Sequence, residues 1–333
     1  MKVVKYGFVL LIGLGALYAV GPKVKHQPAV LLDTDVNTPL HLLDSLIASN
    51  ENKIPDLKEH NQARIVWADS AGKKTEYALV YVHGFSASQE EGAPIHTEFA
   101  KRYGMNLYLT RLEDHGRRDT NSFQHLTPEN YFQSAEEAID VAKKIGEKVI
   151  VMSCSTGGTL SLILAAAGEN IHSLILYSPN IAIFDPKSKM LLYPWGKQIS
   201  DMVMGGEHNR IQYDDLAKKH WNSVYHTNSL FTLQSIIEHH MTSETFSKIK
   251  IPVFLGYYYK DEEHQDNVVS VARMLEMFDE LGTESNKKRK VAFPDAGHHV
   301  ISSHVISKDI AGVTRESFKF AEEVLGLVPV TSK

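Results

Sequence analysis

The chain has one cysteine, Cys154, in 333 residues. That excludes an intramolecular disulfide and every multi-cysteine metal site. There is no H-E-x-x-H motif, and the seventeen histidines are scattered rather than grouped at ligand spacing. The adjacent pairs His239-His240 and His298-His299 point neighbours in different directions in a helix or a strand, which is poor chelating geometry. Positive charge is not in excess. With 35 basic and 40 acidic residues the formal net charge is −5, which gives no footprint for nucleic acid. No metal and no nucleic-acid partner is expected. The length supports a full hydrophobic core in one large α/β unit or two smaller ones.

The N-terminal apolar run, residues 6–21, is shorter than the ~20 residues that comfortably cross a bilayer. Lys2 and Lys5 precede it, and Pro22, Lys23 and Lys25 follow. Residues 1–25 therefore read as an export signal or short membrane anchor. A good A-x-A cleavage site is missing, Leu17-Tyr18-Ala19 being the nearest, and no cysteine follows to make a lipoprotein. The expectation is an uncleaved anchor, with residues 26–333 outside the cytoplasm, in the periplasm or bacterial envelope. The membrane would then be a partner through this segment. Basic residues on both sides leave the orientation open. The alternative is a buried N-terminal helix.

The most informative stretch is residues 148–159. Residues 149–152 are apolar and read as a buried strand, which runs without a spacer into small residues and then the helical pattern of Leu160, Leu162, Ile163 and Leu164. Such a junction forces a tight turn that small residues permit. Ser155 sits at its apex. The usual G-x-S-x-G is present as Ser153-Cys154-Ser155-Thr156-Gly157, with serine in place of the first glycine. A plain Ser/Thr turn in any α/β protein would look similar. Read chemically, the elbow projects the Ser155 hydroxyl, and the Thr156 N–H opens the helix as a donor for negative charge.

Upstream, residues 77–82 form a strong central strand that ends in His83-Gly84-Phe85-Ser86. The Phe85 N–H is the natural second donor beside that of Thr156. Thr127-Pro128-Glu129-Asn130 is a helix start signal. Strands and helices alternate through this half, which argues for a mostly parallel sheet with helices on both faces. Residues 180–247 break the rhythm. They are rich in Met, Tyr, His and Trp, show no clear strand, and read as a helical insertion over one end of the sheet. The core resumes with a strand at residues 251–259, followed by an acidic stretch containing Asp261 and Asp266. Residues 287–290 read as a solvated basic run. Residues 291–293 form the last strand, which leads into Gly297-His298-His299-Val300-Ile301.

A serine after one strand, an acid after a later one and a histidine after the last is the order of nucleophile, acid and base in α/β-hydrolases. The chain resembles that superfamily, and within it the carboxylesterase, monoacylglycerol-lipase and serine aminopeptidase-like group. The resemblance covers residues 63–326 and rests on His83-Gly84-Phe85, the Ser155 elbow, Asp266-Asn267-Val268-Val269 and Gly297-His298-His299-Val300-Ile301. It implies an α/β-hydrolase fold in residues 26–333, with a cap at about 180–247. It implies Ser155 as nucleophile, the backbone N–H groups of Phe85 and Thr156 as oxyanion donors, Asp266 as acid and His299 as base. Asp261 and His298 are the alternatives for the last two. The implied activity is hydrolysis of a small-molecule or lipid carboxylic ester through an acyl-enzyme, without cofactor. Amidase, peptidase or thioesterase chemistry would use the same groups. A non-catalytic binding protein of this fold is the competing reading. The pattern departs from the family at Ser153 and at His115-Gly116, where a preceding glycine is absent. Oligomeric state is left open.

Overall fold

A computed structural model describes residues 6, 13, 15–23 and 37–330. The strands are β1 (Arg64–Val66), β2 (Thr75–Val82), β3 (Asn106–Leu109), β4 (Gly146–Cys154), β5 (Ser173–Tyr177), β6 (His208–Arg210), β7 (Val224–His226), β8 (Val253–Tyr257) and β9 (Lys288–Ala292). The main sheet runs β1-β3-β2-β4-β5-β8-β9. Only the edge pair β1–β3 is antiparallel, and the other pairings in this sheet are parallel. The helices before the insertion are α1 (Leu43–Glu51), α2 (Ile95–Tyr103), α3 (Pro128–Ile145) and α4 (Thr156–Ala167).

Parallel strands need crossover connections, and the crossover helices cover both faces of the sheet. Successive side chains therefore point into two different cores. Val80, Val82, Val149 and Val151 pack with Phe132 and Ile139 of α3 on one face. Leu79, Tyr81, Ile150 and Met152 pack with Phe99 of α2 on the other. The start of α3 is secured by a capping box. Thr127 Oγ1 accepts from the Asn130 N–H at 3.3 Å, and Asn130 Oδ1 accepts from the Thr127 N–H at 2.8 Å.

Between β5 and β8 lies the insertion. It holds a 3-10 turn (Pro186–Leu192), α5 (Gly196–Met204), α6 (Ala217–His220), α7 (Asn228–His240) and α8 (Ser243–Lys248). It also holds β6 and β7, which pair only with each other and were not expected. At three residues each they are too short to show an alternating pattern. The chain finishes with α9 (Val271–Glu280) and α10 (Ile310–Glu323).

Two expectations are corrected. Residues 15–19 are helical, but this helix ends before Gly21-Pro22 and the chain docks on Trp195 of the insertion. The Trp195 N–H donates to the Pro22 carbonyl at 2.9 Å, and its indole Nε1 donates to the Leu17 carbonyl at 3.2 Å. Among the described residues no helix is long and apolar enough to cross a membrane. The expected membrane anchor, the membrane as partner and the envelope placement drawn from them are overturned. The rest of the expected segment (residues 1–5, 7–12, 14, 24 and 25) lies outside the described residues. The second correction concerns the basic run. Lys288, Arg289 and Lys290 are part of β9. Charge on an edge strand discourages pairing with another chain, which is why the run does not read as a strand.

Thr127→Ala removes one half of the capping box, and urea denaturation should show a loss of about 1 kcal/mol. An unchanged midpoint would mean that the box does not hold α3.

Candidate active site

The C-terminal ends of β2 and β4 lie side by side, with Val82 paired to Ser153. Their following loops therefore meet. Ser155 turns the chain from β4 into α4 with φ 52° and ψ −124°, a left-handed conformation that is strained for a residue with a Cβ. Neighbouring elements hold it there. The Ser155 N–H donates to the Tyr177 carbonyl at 3.0 Å, and the Ser155 carbonyl accepts from the N–H groups of Gly158 and Asn180 at 2.9 and 3.0 Å. Small residues are required around it. A Cβ on Gly157 would fall 2.1 Å from the Val82 carbonyl oxygen. Ser153 in the first-glycine position is fully buried in β4, where its Oγ has no hydrogen-bond partner among the described residues.

Gly84 provides the second close approach. A Cβ there would lie 2.9 Å from Ser155 Cβ and 2.7 Å from Glu91 Oε1. The next residue, Phe85, points its ring into an aromatic group with Phe123, Tyr225 and His115. Its N–H donates to no acceptor among the described residues. The Thr156 N–H is the first of α4, where the helix offers no acceptor. Both expected oxyanion donors are therefore uncommitted.

Asp266 and His299 are brought together. Asp266 is fully buried, and its Oδ2 accepts from His299 Nδ1 at 2.5 Å. Its Oδ1 accepts from the N–H groups of Val268 and Val269 at 2.9 and 3.0 Å, which fixes the carboxylate. Burial alone would pull the His299 pKa down. The Asp266 charge, its hydrogen bond and the more distant charge of Glu91 outweigh burial and raise it above 6.5. His299 Nε2 is buried and has no hydrogen-bond partner among the described residues, so no bond joins it to Ser155.

The alternatives are placed elsewhere. Asp261 bonds His264 Nδ1 at 2.8 Å on the surface. His298 Nδ1 accepts from the Val300 N–H, and burial with the neighbouring His299 lowers its pKa to about 4. Cys154 is fully buried, and burial pushes its thiol pKa up, which keeps it protonated. Among the described residues no group of three or more His, Cys, Asp or Glu is arranged to hold a metal ion.

Two residues that the sequence marked only as parts of short motifs have supporting roles it did not show. His83 and His115 are buried side by side, and burial lowers both pKa values, that of His83 to about 4. As neutral rings they can accept. His83 Nε2 takes the Leu112 N–H, and His115 Nε2 takes the Ser86 N–H, each at 3.1 Å. His115 thus steadies the loop that carries Phe85. Arg117 is held by Asp119 at 3.1 Å and by Asp114, which satisfies it within its own loop.

No family model matches the chain. No curated protein matches it. Solved structures do. One is of a metagenome-derived lipolytic enzyme, 14% identical, covering 79% of this chain and 98% of that one, with a TM-score of 0.64. The monoacylglycerol lipase of Paleococcus ferrophilus is 15% identical, covers 78% and 96%, and has a TM-score of 0.56. A soluble variant of the monoglyceride lipase of Saccharomyces cerevisiae, solved with a substrate analogue, is 12% identical, covers 79% and 92%, and has a TM-score of 0.56. The chain has the α/β-hydrolase fold. In an α/β-hydrolase, ligands approach the C-terminal strand ends, and Ser155, Gly84, Asp266 and His299 all follow such ends.

The raised His299 pKa has a consequence for stability. Proton binding favours the folded state, so this contribution is full below the unfolded value near 6.5 and is lost as pH rises through the higher folded value. Thermal denaturation of the wild type should therefore lose stability upward through that window, and Asp266→Asn should flatten the trend. A slope that survives the substitution would separate it from the Asp266–His299 pair.

Proposed function

We propose that the chain is a serine hydrolase that cleaves carboxylic esters through an acyl-enzyme on Ser155. The observation that supports this reading is the buried Asp266–His299 hydrogen bond, which leaves His299 Nε2 without a partner among the described residues, while the Glu91 carboxylate that acts on His299 lies at the approach of Gly84 to Ser155. A serine hydroxyl is a poor nucleophile until a neutral imidazole takes its proton. His299 Nε2 would accept the Ser155 proton as Oγ bonds the ester carbonyl carbon. The carbonyl oxygen becomes an oxyanion and takes the N–H groups of Phe85 and Thr156. Collapse expels the alcohol, protonated by His299. Water, deprotonated by the same nitrogen, then attacks the acyl-enzyme, and the acid and free Ser155 are released. Asp266 holds the ring tautomer and offsets the charge of the imidazolium.

Apart from Ser155, Asp266 and His299, none of which lines it, the insertion offers apolar surface for part of a substrate. The insertion carries a groove of about 500 Å³ lined mainly by apolar side chains, among them Met190, Leu191, Ile199, Val203 and Leu233. Ile183 of the same groove pairs with Val269, whose N–H holds Asp266. We read residues 180–247 as a cap whose groove takes the apolar part of the substrate. The names of similar folds, a monoacylglycerol lipase and lipolytic enzymes among them, point the same way.

Treatment with a fluorophosphonate followed by intact-mass analysis should give one adduct, absent in Ser155→Ala. Folded wild-type protein that takes no adduct would count against an activated serine and favour a binding protein of this fold.

A further inference from the structure

One buried charge has no part in the chemistry above. Glu91 lies in the 3-10 turn Gln89–Gly92 and is 2% exposed. Burying a carboxylate is costly unless it is well bonded. Its Oε2 accepts from the Gly84 N–H at 2.6 Å and from the Tyr81 hydroxyl at 3.3 Å. Gly84 is the residue whose absent side chain lets this carboxylate and Ser155 converge. A grip on the Gly84 N–H anchors one side of Gly84, and the peptide on its other side carries the Phe85 N–H. The turn is itself tied to the base loop, because Ser302 Oγ donates to the Glu91 carbonyl at 2.8 Å. The carboxylate also acts on His299 through its charge.

We propose that Glu91 is a positioning residue for the hydrolysis: its carboxylate holds the Phe85 loop through the Gly84 N–H and favours the protonated His299 that forms as Ser155 attacks. This rests on the serine-hydrolase reading. A plain structural plug would need the hydrogen bonds but not the charge, and that difference can be measured. The titratable groups that face the carboxylate are Tyr81 from β2, Cys154 from β4, Tyr131 from α3, Tyr213 from the insertion and His299 from the loop after β9. Burial raises the pKa values of the three tyrosines and of Cys154, so they stay neutral near pH 7. His299 is the cation among them. Burial likewise lifts the Glu91 pKa to about 7, against the Gly84 hydrogen bond and the His299 charge. The carboxylate therefore changes state across the working range.

The test compares wild type, Glu91→Gln and Glu91→Ala by fluorophosphonate labelling rate and by kcat and KM on a nitrophenyl ester, between about pH 5 and 9. A glutamine oxygen can still accept from the Gly84 N–H, so E91Q keeps the grip and loses the charge. E91Q should label Ser155 with unchanged KM, a lower kcat, and an acid limb of kcat/KM displaced to lower pH, because neutral His299 then persists further down. E91A should lose kcat by about tenfold or more, up to the roughly 10²–10³ that outright loss of an oxyanion donor costs. An E91Q profile superimposable on wild type would overturn the proposal, and E91Q alone decides if E91A does not fold. Wild-type protein that does not label would instead overturn the serine-hydrolase reading, so the two failures are distinct.

Discussion

The site depends on one close approach, that of the backbone after β2 to the backbone after β4. Pairing Val82 with Ser153 brings the two strand ends level. Gly84 and Gly157 then let the loops meet, because a Cβ at either would strike Ser155 Cβ or the Val82 carbonyl. The strain in the Ser155 backbone persists because the surrounding hydrogen bonds over-determine it. From that contact follow the uncommitted N–H groups of Phe85 and Thr156 beside Ser155.

The second half of the site is built from the other side of the sheet. β8 and β9 each end in a loop, and the loops are joined by the Asp266–His299 hydrogen bond. Asp266 is ordered by two backbone N–H groups rather than by a cation, so its charge remains available to the imidazole. Burial makes an unpaired His299 or Asp266 costly, which ties the geometry of His299 to the integrity of the loop that carries Asp266.

Much of the frame was legible in the sequence, because buried parallel strands are continuous apolar runs and their junctions with helices need small residues. Residues 149–152 followed by Ser155 and Gly157 are such a case. The contact between Asp266 and His299 was also within reach, since each follows a strand in the expected order. The N-terminal run misled: its hydropathy resembles a membrane segment, yet the described part ends at Gly21 and docks on Trp195 through main-chain and indole hydrogen bonds that no periodicity encodes. Glu91, and the supporting roles of His83 and His115, were invisible for a related reason. A polar residue inside a polar loop reads as solvated, and only the tertiary fold shows that it is buried against backbone donors. β9 was obscured by its charges and β6 and β7 by their shortness.

The central claim is that Ser155 attacks while Phe85 and Thr156 receive the oxyanion. A crystal structure of the phosphonylated protein tests it most directly, since the adduct imitates the tetrahedral intermediate. The account predicts phosphorus on Ser155 Oγ, with the phosphoryl oxygen about 2.7–3.1 Å from both N–H groups. His299 Nε2 should lie within hydrogen-bond reach of the adduct oxygens. Phosphorus on another side chain, or a phosphoryl oxygen turned away from those two donors, would contradict it.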